Sequence, residues 1–469
     1  MVFADLTFLY MFLPINIILY FISKNINYRN IVLVSFSMFF YAWGEPVWIV
    51  LLIFSGGIDY IHGLLVEKYR GTIGAKLAVA SSLILNLGLL AIFKYSAFFI
   101  SSVNGGFGTT FNVPNFALPI GISFYTFQTI SYVIDVYRNE VKPQKSFLKF
   151  MLFVSLYHQL VAGPIVRYSQ IADEIDNRTT DVRDISTGIT RFIFGLTKKV
   201  VVANVAGTFC AKYLDADLST LSVGGAWFGI VMFAIQIYYD FSGYSDMAIG
   251  LGKIFGFHYG ENFCYPYISA SATEFWRRWH ISLGSFFRDY LYIPLGGNRK
   301  HQYLNLFIVW FATGFWHGAS WNFIIWGLFW GGLVMLEKKF LLVSFKKLPW
   351  YVSRIYMFFV ILISWTIFYF TDLSELTHCL KIMFGFSGQM LWDMGTQIII
   401  ENNIFWIIAA VFFAMPMLRG FNYVFANELN EKQQKFLLWF QPIINVILLL
   451  VSTAMLNGQS YNPFLYFRF

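Results

Sequence analysis

Residues 304–330 of this chain read LNLFIVWFATGFWHGASWNFIIWGLFW. Two apolar runs flank the centre of this stretch, and His317 is the only ionisable side chain in it. Runs of this length and composition are typical of helices buried in a membrane. An ionisable side chain costs free energy in lipid, so one that is present usually faces the protein interior and has a function. The stretch predicts membrane-embedded helices and makes His317 the first candidate functional residue.

The composition of the whole chain extends this interpretation. Of its 469 residues, 58% are hydrophobic and only 12% are charged, and 54 Phe, 28 Tyr and 15 Trp are present. Soluble domains are about one quarter charged. A soluble fold with so little polar surface would not stay dispersed. The composition therefore predicts an integral membrane protein.

Apolar runs that approach spanning length recur along the whole chain. We place them near residues 6–22, 30–43, 46–64, 77–101, 116–137, 147–163, 186–212, 223–252, 303–313, 320–340, 353–371, 403–420 and 436–456. Gly44-Glu45-Pro46 separates two of these runs, neither of which need cross alone, so roughly 10–12 crossings are expected. Backbone polar groups in lipid must be satisfied within their own segment, and no barrel-like alternation is present. The expected fold class is an all-α integral membrane protein.

No internal repeat, low-complexity tract or soluble domain interrupts this pattern. We expect one multi-pass domain over residues 1–469, with its core motifs in 238–330 and a C-terminal aromatic tail at 461–469. The N-terminus has neither a basic region nor a small-residue cleavage site. We interpret it as the start of the first spanning segment rather than as a signal peptide.

The net charge of +8 comes from short basic clusters between the apolar runs. The positive-inside rule and contact with lipid headgroups produce such clusters, so nucleic acid is not an expected partner. Cys210, Cys264 and Cys379 are far apart and lack a C-x-x-C spacing. They predict neither a disulfide framework nor a zinc site.

Residues 265–301 break the pattern because they are aromatic but too charged for a simple span. In a helical projection of residues 274–290, aromatic side chains gather on one face, and arginines, serines and an aspartate gather on the other. We expect an interfacial or re-entrant amphipathic helix capped by Ser271 or Thr273. His280 lies at the edge of its aromatic face, and residues 294–298 form the turn that ends it.

The surroundings of His317 suit general-base chemistry. Gly314 and Gly318 remove side-chain bulk, so a substrate could approach the imidazole closely. Burial among Phe315 and Trp316 disfavours the charged ring. A neutral imidazole aimed at a hydroxyl is what general-base acyl transfer requires. The alternative is a packing histidine whose ring nitrogens bind backbone carbonyls.

His280 is the second candidate, and we expect it to orient a substrate or to form hydrogen bonds near His317. Two histidines could also bind a metal, but no third and fourth ligand lies nearby in the sequence, so no metal is expected. The remaining histidines lack a comparable context and are expected in packing or at interfaces: His62, His158, His258, His301 and His378.

Further charged residues lie in or near apolar segments. Asp240 and Asp246 could carry protons in a transporter. The favoured interpretation is a buried network with Tyr, Ser or Arg partners that holds the active-site helix. Arg277, Arg278 and Arg288 either extend to lipid headgroups or clamp a phosphate-bearing acyl donor.

Several motifs carry a resemblance to a known family. They read FWRRWHISL at 275–283, RDYLYIPLGGN at 288–298 and TGFWHGASWN at 313–322, and earlier in the chain FYAWGEP at 40–46 and QLVAGPIVR at 159–167. With the run at 240–250, they resemble the membrane-bound O-acyltransferase (MBOAT) superfamily and are most similar to the membrane subunits of bacterial alginate O-acetyltransferases. The match keeps its order over nearly the whole chain.

The resemblance implies a ring of helices around a thin central partition, where a cytoplasmic acyl donor meets an acceptor on the outer side. It implies that His317 is the catalytic histidine and His280 the second motif histidine. The motif residues expected to bind substrate or donor are Arg277, Arg278, Arg288, Asp289, Trp316 and Asn322. The implied donor is a thioester, either acetyl-CoA or an acyl carrier, and no bound cofactor is expected.

The C-terminal residues 462–469, NPFLYFRF, are similar to the tails of teichoic-acid D-alanylation systems. In such a scheme His317 deprotonates the Tyr466 hydroxyl, which accepts the acyl group and relays it to an extracellular partner. The alternative is an aromatic anchor at the membrane interface, with Arg468 at the headgroups.

We therefore expect a multi-pass O-acetyltransferase of the bacterial cytoplasmic membrane that serves an exopolysaccharide, cellulose or peptidoglycan. The expected partners are membrane lipids, an extracytoplasmic esterase-fold acetyltransferase, the polysaccharide indirectly and, as one possible donor, an acyl carrier protein. The alternatives are D-alanyl transfer to teichoic acid, a secondary transporter and a non-catalytic scaffold. Paired repeats with matched broken helices, which would favour a transporter, are not seen in the sequence.

Overall fold

A computed structural model gives the architecture of the chain. It describes residues 1–160, 163–345, 347–417, 431–458 and 464–465, with the backbone alone for 431–438. In these ranges the regular structure is helical, and no β-strand is present. The prediction of an all-α membrane fold is confirmed.

The helices follow one another with short connections. The first part of the chain forms α1 (Phe8–Phe21), α2 (Ile26–Gly44), α3 (Ile49–Lys68), α4 (Ile73–Phe107), α5 (Ile122–Tyr137), α6 (Phe147–Ser155), α7 (Tyr168–Asn177), α8 (Val182–Leu214) and α9 (Val223–Phe255). The second part forms α10 (Ala272–Arg278), α11 (Ile281–Phe287), α12 (Gln302–His317), α13 (Trp321–Leu336), α14 (Trp350–Tyr369), α15 (Leu373–Met383), α16 (Met394–Asn402), α17 (Ile404–Phe413) and α18 (Glu431–Leu456). Short helical turns extend or connect them at Tyr157–Leu160, Leu218–Thr220, Pro266–Ile268, Arg288–Tyr292, Glu337–Leu341 and Leu342–Phe345.

Polar side chains mark the beginnings of several helices. Asn25 Oδ1 accepts hydrogen bonds from the first free N–H groups of α2, at 2.9 and 3.2 Å. Ser271 Oγ does the same for α10, accepting from Glu274 N at 3.1 Å, and Asp372 caps α15. These side chains replace the hydrogen bonds that the first turn of a helix cannot make internally. Of the two caps expected for the segment after residue 265, Ser271 is confirmed.

Five helical segments of the described chain are long and apolar enough to cross a membrane. They are Ile49–Lys68, Ile73–Phe107, Val182–Leu214, Trp350–Tyr369 and Trp439–Leu456. A sixth arises if α16 and α17, which meet at a bend of 67°, form one broken span. Length and composition thus account for five or six crossings, and the expected ten to twelve remain a prediction.

The chain divides into two compact units. Among the described residues, the first comprises Met1–Ile193, Tyr244–Gly260 and those from Leu456 onward, and the second comprises Phe194–Gly243 and Glu261–Met455. The boundaries after residues 193 and 243 fall inside α8 and α9, so both helices contribute to both units. The expectation of a single domain over residues 1–469 remains a prediction.

In the first unit, a buried polar network connects α3 to α4. The carboxylate of the fully buried Asp59 accepts hydrogen bonds from Ser82 Oγ at 2.6 Å and Asn86 Nδ2 at 2.7 Å. One turn along α3, His62 forms 2.8 Å hydrogen bonds to Ser81 Oγ and to a backbone carbonyl of its own helix. Such hydrogen bonds offset the cost of burying polar groups at membrane depth.

In the second unit, α12 and α13 form a tightly packed hairpin across a loop of three residues. A Cβ atom on Gly314 would lie 2.3 Å from Phe323 O, and one on Gly327 would lie 2.4 Å from Trp310 O. Only glycine allows these backbones to approach so closely. The hairpin therefore depends on Gly314 and Gly327 for its packing.

The expected continuous amphipathic helix over residues 274–290 is wrong. The chain forms α10, leaves the helical path at Trp279 and His280, and then forms α11. His280 has a φ of 46° and a ψ of 54°, in the left-handed region, which interrupts the helix. The helical projection could not reveal this break because Trp279 and His280 fit the aromatic pattern on either side of it. The turn expected at 294–298 is present, with positive φ at Gly296 and Gly297.

Candidate functional site

His317 is the last residue of α12, where the hairpin of the second unit turns. Its side chain is buried, with 5% of the residue exposed. The imidazole lies edge-to-face against Trp326 of α13 and Phe368 of α14, with ring centroids 4.9 and 5.5 Å apart. Its chain neighbour Trp316 lies 5.1 Å away by the same measure. Three aromatic rings from three helices therefore surround this imidazole.

The two glycines beside His317 serve packing rather than substrate approach. A Cβ atom on Gly318 would lie 2.2 Å from the ring of Phe323. The space next to Gly314 is filled by the backbone of α13, as described for the hairpin. The expectation that these glycines leave room for a substrate is therefore wrong, because protein atoms occupy the space.

His280 and His317 share one neighbour, Trp316. The ring centroids of His280 and Trp316 are 6.4 Å apart, and Trp316 also contacts His317. His280 in addition lies edge-to-face on Phe241 of α9, with centroids 4.7 Å apart. Both histidines are thus buried in one aromatic region of the second unit, although 37 positions separate them (317 − 280).

The polar contacts of His280 differ between its two ring nitrogens. Nδ1 lies 3.2 Å from Asn262 Oδ1 and 3.4 Å from Ser282 Oγ. Nε2 is buried and has no hydrogen-bond partner among the residues that the structure describes. A buried polar atom without a partner costs free energy, which is a reason to expect a ligand or a water there.

Tryptophan side chains behind the histidines are held in place by hydrogen bonds. Ser364 Oγ of α14 accepts from Trp326 Nε1 at 2.9 Å and from Trp330 Nε1 at 2.8 Å. Asn322 Nδ2 donates to the carbonyls of Ile367 and Phe368, both at 3.2 Å. These bonds tie the hairpin to α14. The amide donor of Asn322, predicted to bind substrate, is thus engaged with the end of a neighbouring helix.

The predicted arginine clamp does not form as a single cluster of available guanidinium groups. Arg278 is bound to Glu274 at 2.8 Å and to the Cys264 carbonyl at 3.1 Å. Arg288 is bound to the adjacent Asp289 at 2.6 Å. That hydrogen bond raises the pKa of the Arg288 guanidinium. Two of the three cations are therefore paired with carboxylates.

Arg277 is exposed, and its positive charge acts on a second cation, Lys338. Partial burial, followed by the positive charge of Arg277, lowers the pKa of the Lys338 ammonium group, just after α13. Like charges held near each other repel, and an anion placed beside both would relieve the repulsion. Sequence reasoning missed Lys338, whose only signal was its position among the basic residues after an apolar run.

Glu337 is a second residue that sequence reasoning missed. It is fully buried, and its carboxylate accepts hydrogen bonds from Ala272 N at 2.5 Å and from Thr273 N at 3.0 Å. These are free N–H groups of the first turn of α10. Glu337 thereby anchors the helix that leads into His280. A carboxylate directly after an apolar helix was the available signal.

Asp240 and Asp246 each have a basic partner, within different units. In the second unit the buried Asp240 pairs with Lys199 of α8. In the first unit Asp246 pairs with Arg191 at 2.9 Å. This geometry fits the interpretation of both carboxylates as parts of structural networks. Lys199 is a partner of a residue type that was not among the expected Tyr, Ser and Arg.

The remaining predicted features fall outside this aromatic region or outside the described chain. Tyr466 lies outside the described residues. In the first unit, His62 and His158 form hydrogen bonds with Ser81 and Tyr259. No group of three or more His, Cys, Asp or Glu side chains that could hold a metal occurs in the part of the chain that the structure describes.

Comparison with known proteins adds an independent finding. A family model described as MBOAT, membrane-bound O-acyltransferase family, matches residues 138–374. A probable alginate O-acetylase of Pseudomonas putida is 38% identical over 100% of this chain and 100% of its own length. A peptidoglycan O-acetyltransferase of Helicobacter pylori is 32% identical over 98% of this chain and 96% of its own length. A teichoic acid D-alanyltransferase of Streptococcus thermophilus is 31% identical over 47% of this chain and 58% of its own length.

Proposed function

The chain belongs to the membrane-bound O-acyltransferase family and is an O-acyltransferase, and from this premise we propose that it moves an acetyl group from a cytoplasmic thioester to a hydroxyl for O-acetylation of an extracellular or cell-wall polysaccharide. The names of its full-length relatives, which act on alginate and peptidoglycan, support this substrate class. The observation that carries the proposal is the contact of Trp316 with both His280 and His317.

In the proposed reaction His317 is the general base. It accepts the proton of the attacking hydroxyl while the hydroxyl oxygen forms a bond to the thioester carbonyl carbon. The carbon–sulfur bond breaks, and the proton passes from the imidazolium to the leaving thiolate. The products are an ester and a free thiol, so no further reactant is required. The imidazole packs edge-to-face against Trp326 and Phe368, and it accepts this proton in its neutral form.

We propose that His280 orients the substrate. Its Nε2 atom, buried and without a partner among the described residues, accepts a hydrogen bond from a substrate N–H or O–H. The phosphopantetheine arm that coenzyme A and acyl carriers share has amide N–H groups suited to this atom. Trp316 packs beside both histidines and excludes water from the reacting groups.

The donor is a phosphate-bearing thioester, acetyl-CoA or an acyl carrier. Arg277 with Lys338 is the better candidate for the phosphate contact, because Arg278 and Arg288 are paired with carboxylates. Guanidinium and ammonium groups both bind phosphate oxygens through charge-assisted hydrogen bonds. In this proposal Asp289 pairs with Arg288 rather than with the donor, and Asn322 anchors the hairpin to α14.

The destination of the acyl group is on the outer side of the bacterial cytoplasmic membrane. We propose that Tyr466 receives the acetyl group from the donor and relays it to an extracytoplasmic esterase-fold acetyltransferase, which modifies the polysaccharide. Replacement of Tyr466 by Phe removes the nucleophilic oxygen and keeps the ring. Full extracellular acetylation by the Tyr466→Phe variant would contradict the relay.

The function is tested with membranes from a host that lacks this activity. Labelled acetyl-CoA is supplied on the cytoplasmic side, and acetyl ester is measured on the outer side for the parent chain and for His317→Ala at equal abundance. We expect ester formation by the parent alone. Ester formation by His317→Ala would contradict the catalytic assignment, and its absence from the parent would contradict the donor.

D-alanyl transfer is the second candidate, favoured by the similarity to teichoic acid D-alanyltransferases over about half of the chain. A D-alanyl thioester in the same assay separates the two. Faster transfer of D-alanine than of acetate would make D-alanyl transfer the function.

A further inference from the structure

Asn262 lies beside the break between α10 and α11, within the second unit. Its backbone carbonyl accepts a hydrogen bond from Ile281 N at 3.0 Å, and two residues later Cys264 N donates to Arg278 O at 2.9 Å. Asn262 is 1% exposed. These backbone bonds hold the segment that carries Asn262 against Arg278 and Ile281, on the two sides of the helix break.

The orientation of the Asn262 side-chain amide follows from its partners. The atom placed as Oδ1 lies 3.2 Å from Ser282 N and 2.9 Å from Ser282 Oγ. A backbone N–H can only donate, so the side-chain atom that faces it must be the carbonyl oxygen and not the nitrogen. Asn262 thereby also caps the first turn of α11, because the N-cap residue His280 provides no side-chain cap.

The same oxygen decides the tautomer of His280. His280 Nδ1 lies 3.2 Å from Asn262 Oδ1, and an oxygen that only accepts requires a proton on this nitrogen. A neutral imidazole has one proton, so Nε2 then has a lone pair. Nε2 is the buried atom without a hydrogen-bond partner among the described residues.

We propose that Asn262 is a positioning residue of the acyl transfer, which keeps the His280 proton on Nδ1 and leaves Nε2 as the acceptor for a substrate N–H or O–H. This inference rests on the proposed function because it assigns Asn262 to a substrate contact made by His280. The partner that orients a ring nitrogen often sets the role of the opposite nitrogen.

The surroundings of His280 place this control on Asn262. The His280 ring packs against the aromatic rings of Phe241, Phe263 and Trp316 and forms polar contacts with Asn262 and Ser282, and all five side chains are uncharged. The Ser282 hydroxyl is itself a donor to Asn262 Oδ1, at 2.9 Å. The carboxamide oxygen of Asn262 therefore sets the orientation of both the His280 ring and the Ser282 hydroxyl.

The first test replaces Asn262 by Leu, which is of similar size and accepts no hydrogen bond. The proton can then move to Nε2, and the substrate contact is lost in that tautomer. We expect kcat/KM for acetyl transfer to fall by about 10-fold to 100-fold at unchanged abundance. Parent-like kcat/KM would overturn the proposal.

Asn262→Asp decides the question even if the Leu variant does not accumulate. A carboxylate accepts the same hydrogen bonds and caps α11 as well as an amide does, so the fold is retained. Its charge raises the pKa of His280 above that in the parent. Because a protonated Nε2 cannot accept, the substrate contact is lost at low pH, and the acid limb of the 1/KM profile for the donor moves upward by about one pH unit, whereas the acid limb of kcat, which His317 sets, stays in place. A profile that superimposes on that of the parent would overturn the proposal.

Ser271→Ala is the matched control for a purely structural role. Ser271 caps α10 as Asn262 caps α11, with a bond of 3.1 Å to Glu274 N. Loss of such a cap lowers the stability of the helix without touching His280. We expect this variant to keep the pH profile of the parent, and a shift equal to that of Asn262→Asp would overturn the proposal. A parent without acyl transfer would instead contradict the proposed function.

Discussion

His62 in the first unit and His280 in the second are both buried imidazoles, yet their contacts differ. Both ring nitrogens of His62 have partners, Ile58 O and Ser81 Oγ, each at 2.8 Å. In His280 only Nδ1 has a partner, Asn262, among the described residues. A histidine with both nitrogens engaged connects helices, whereas one with an open nitrogen retains the capacity to bind a further group.

The backbone conformations of the two histidines also differ. His62 lies within the regular helix α3, where its side chain reaches α4. His280 occupies the left-handed region at a helix break, a conformation that is unfavourable for a residue with a side chain. Such strain persists only where the surrounding structure imposes it, and it concentrates at functional sites. The hydrogen bonds of Glu337 to α10 and of Asn262 to α11 hold the chain on either side of the break at His280.

The largest expected effect on activity is that of replacing His317, the other histidine of the aromatic region. His317→Ala removes the general base, which contributes about 10² to 10⁴-fold to such reactions. We expect acetyl transfer to fall by about 10²-fold to 10⁴-fold while abundance in the membrane stays within about twofold. The measurement is the transfer rate per protein molecule. A variant with substantial residual activity would place the base elsewhere.

His280→Leu tests directly whether His280 differs from His62 in having a role beyond packing. It removes the open nitrogen but keeps an apolar side chain among Phe241 and Trp316, and we expect kcat/KM to fall by about 10²-fold. Leucine at a left-handed position also costs about 1 kcal/mol, so thermal stability in detergent should be measured beside activity. Equal losses of activity and of folded protein would show that His280, like His62, is structural.

Neutralisation of Arg277 and Lys338 tests the donor contact. The double substitution Arg277→Ala and Lys338→Ala should raise KM for acetyl-CoA by about tenfold and leave kcat within about twofold, because phosphate contacts lie away from the reacting atoms. Arg288→Ala is the control, since Arg288 is bound to Asp289. An equal rise of KM in the control would place the phosphates elsewhere.

The smallest effect on activity is expected at His62. His62→Ala leaves Ser81 without its imidazole partner and should lower the free energy of unfolding by about 1–3 kcal/mol. Catalytic rates per folded molecule should stay within about twofold, measured as initial rates below the unfolding temperature. A loss of rate comparable to that of His280→Leu would remove the distinction between the two histidines.

Much of the site could be predicted because its chemistry lies in short motifs. The run around residue 317 marked an imidazole in an apolar setting, and residues 275–298 placed His280 and its arginines in the same region. The roles of Gly314 and Gly318 could not be predicted. A glycine makes space locally, and only the packing of α13 shows that protein atoms fill it.

The residues that sequence reasoning missed act across long separations in the chain. Asn262 reaches His280 over 18 positions, and Glu337 reaches Ala272 over 65. A carboxylate or amide between apolar segments has many conceivable partners, and its sequence neighbours do not identify the right one. The pairing of Arg278 with Glu274 is by contrast local, because the two residues lie four positions apart on α10, and it removes a cation from the predicted clamp.

The sequence by itself determined that the chain lies in a membrane, that its fold is helical and which residue types are available for the chemistry. Apolar length, backbone hydrogen bonding in lipid and local motifs are all properties of contiguous segments. Only the tertiary structure decided the break at His280, the contact of Trp316 with both histidines and the contact of His280 Nδ1 with Asn262 Oδ1. Each of these results from hydrogen bonds or close packing between segments distant in the chain, and their geometry is set when the segments fold together.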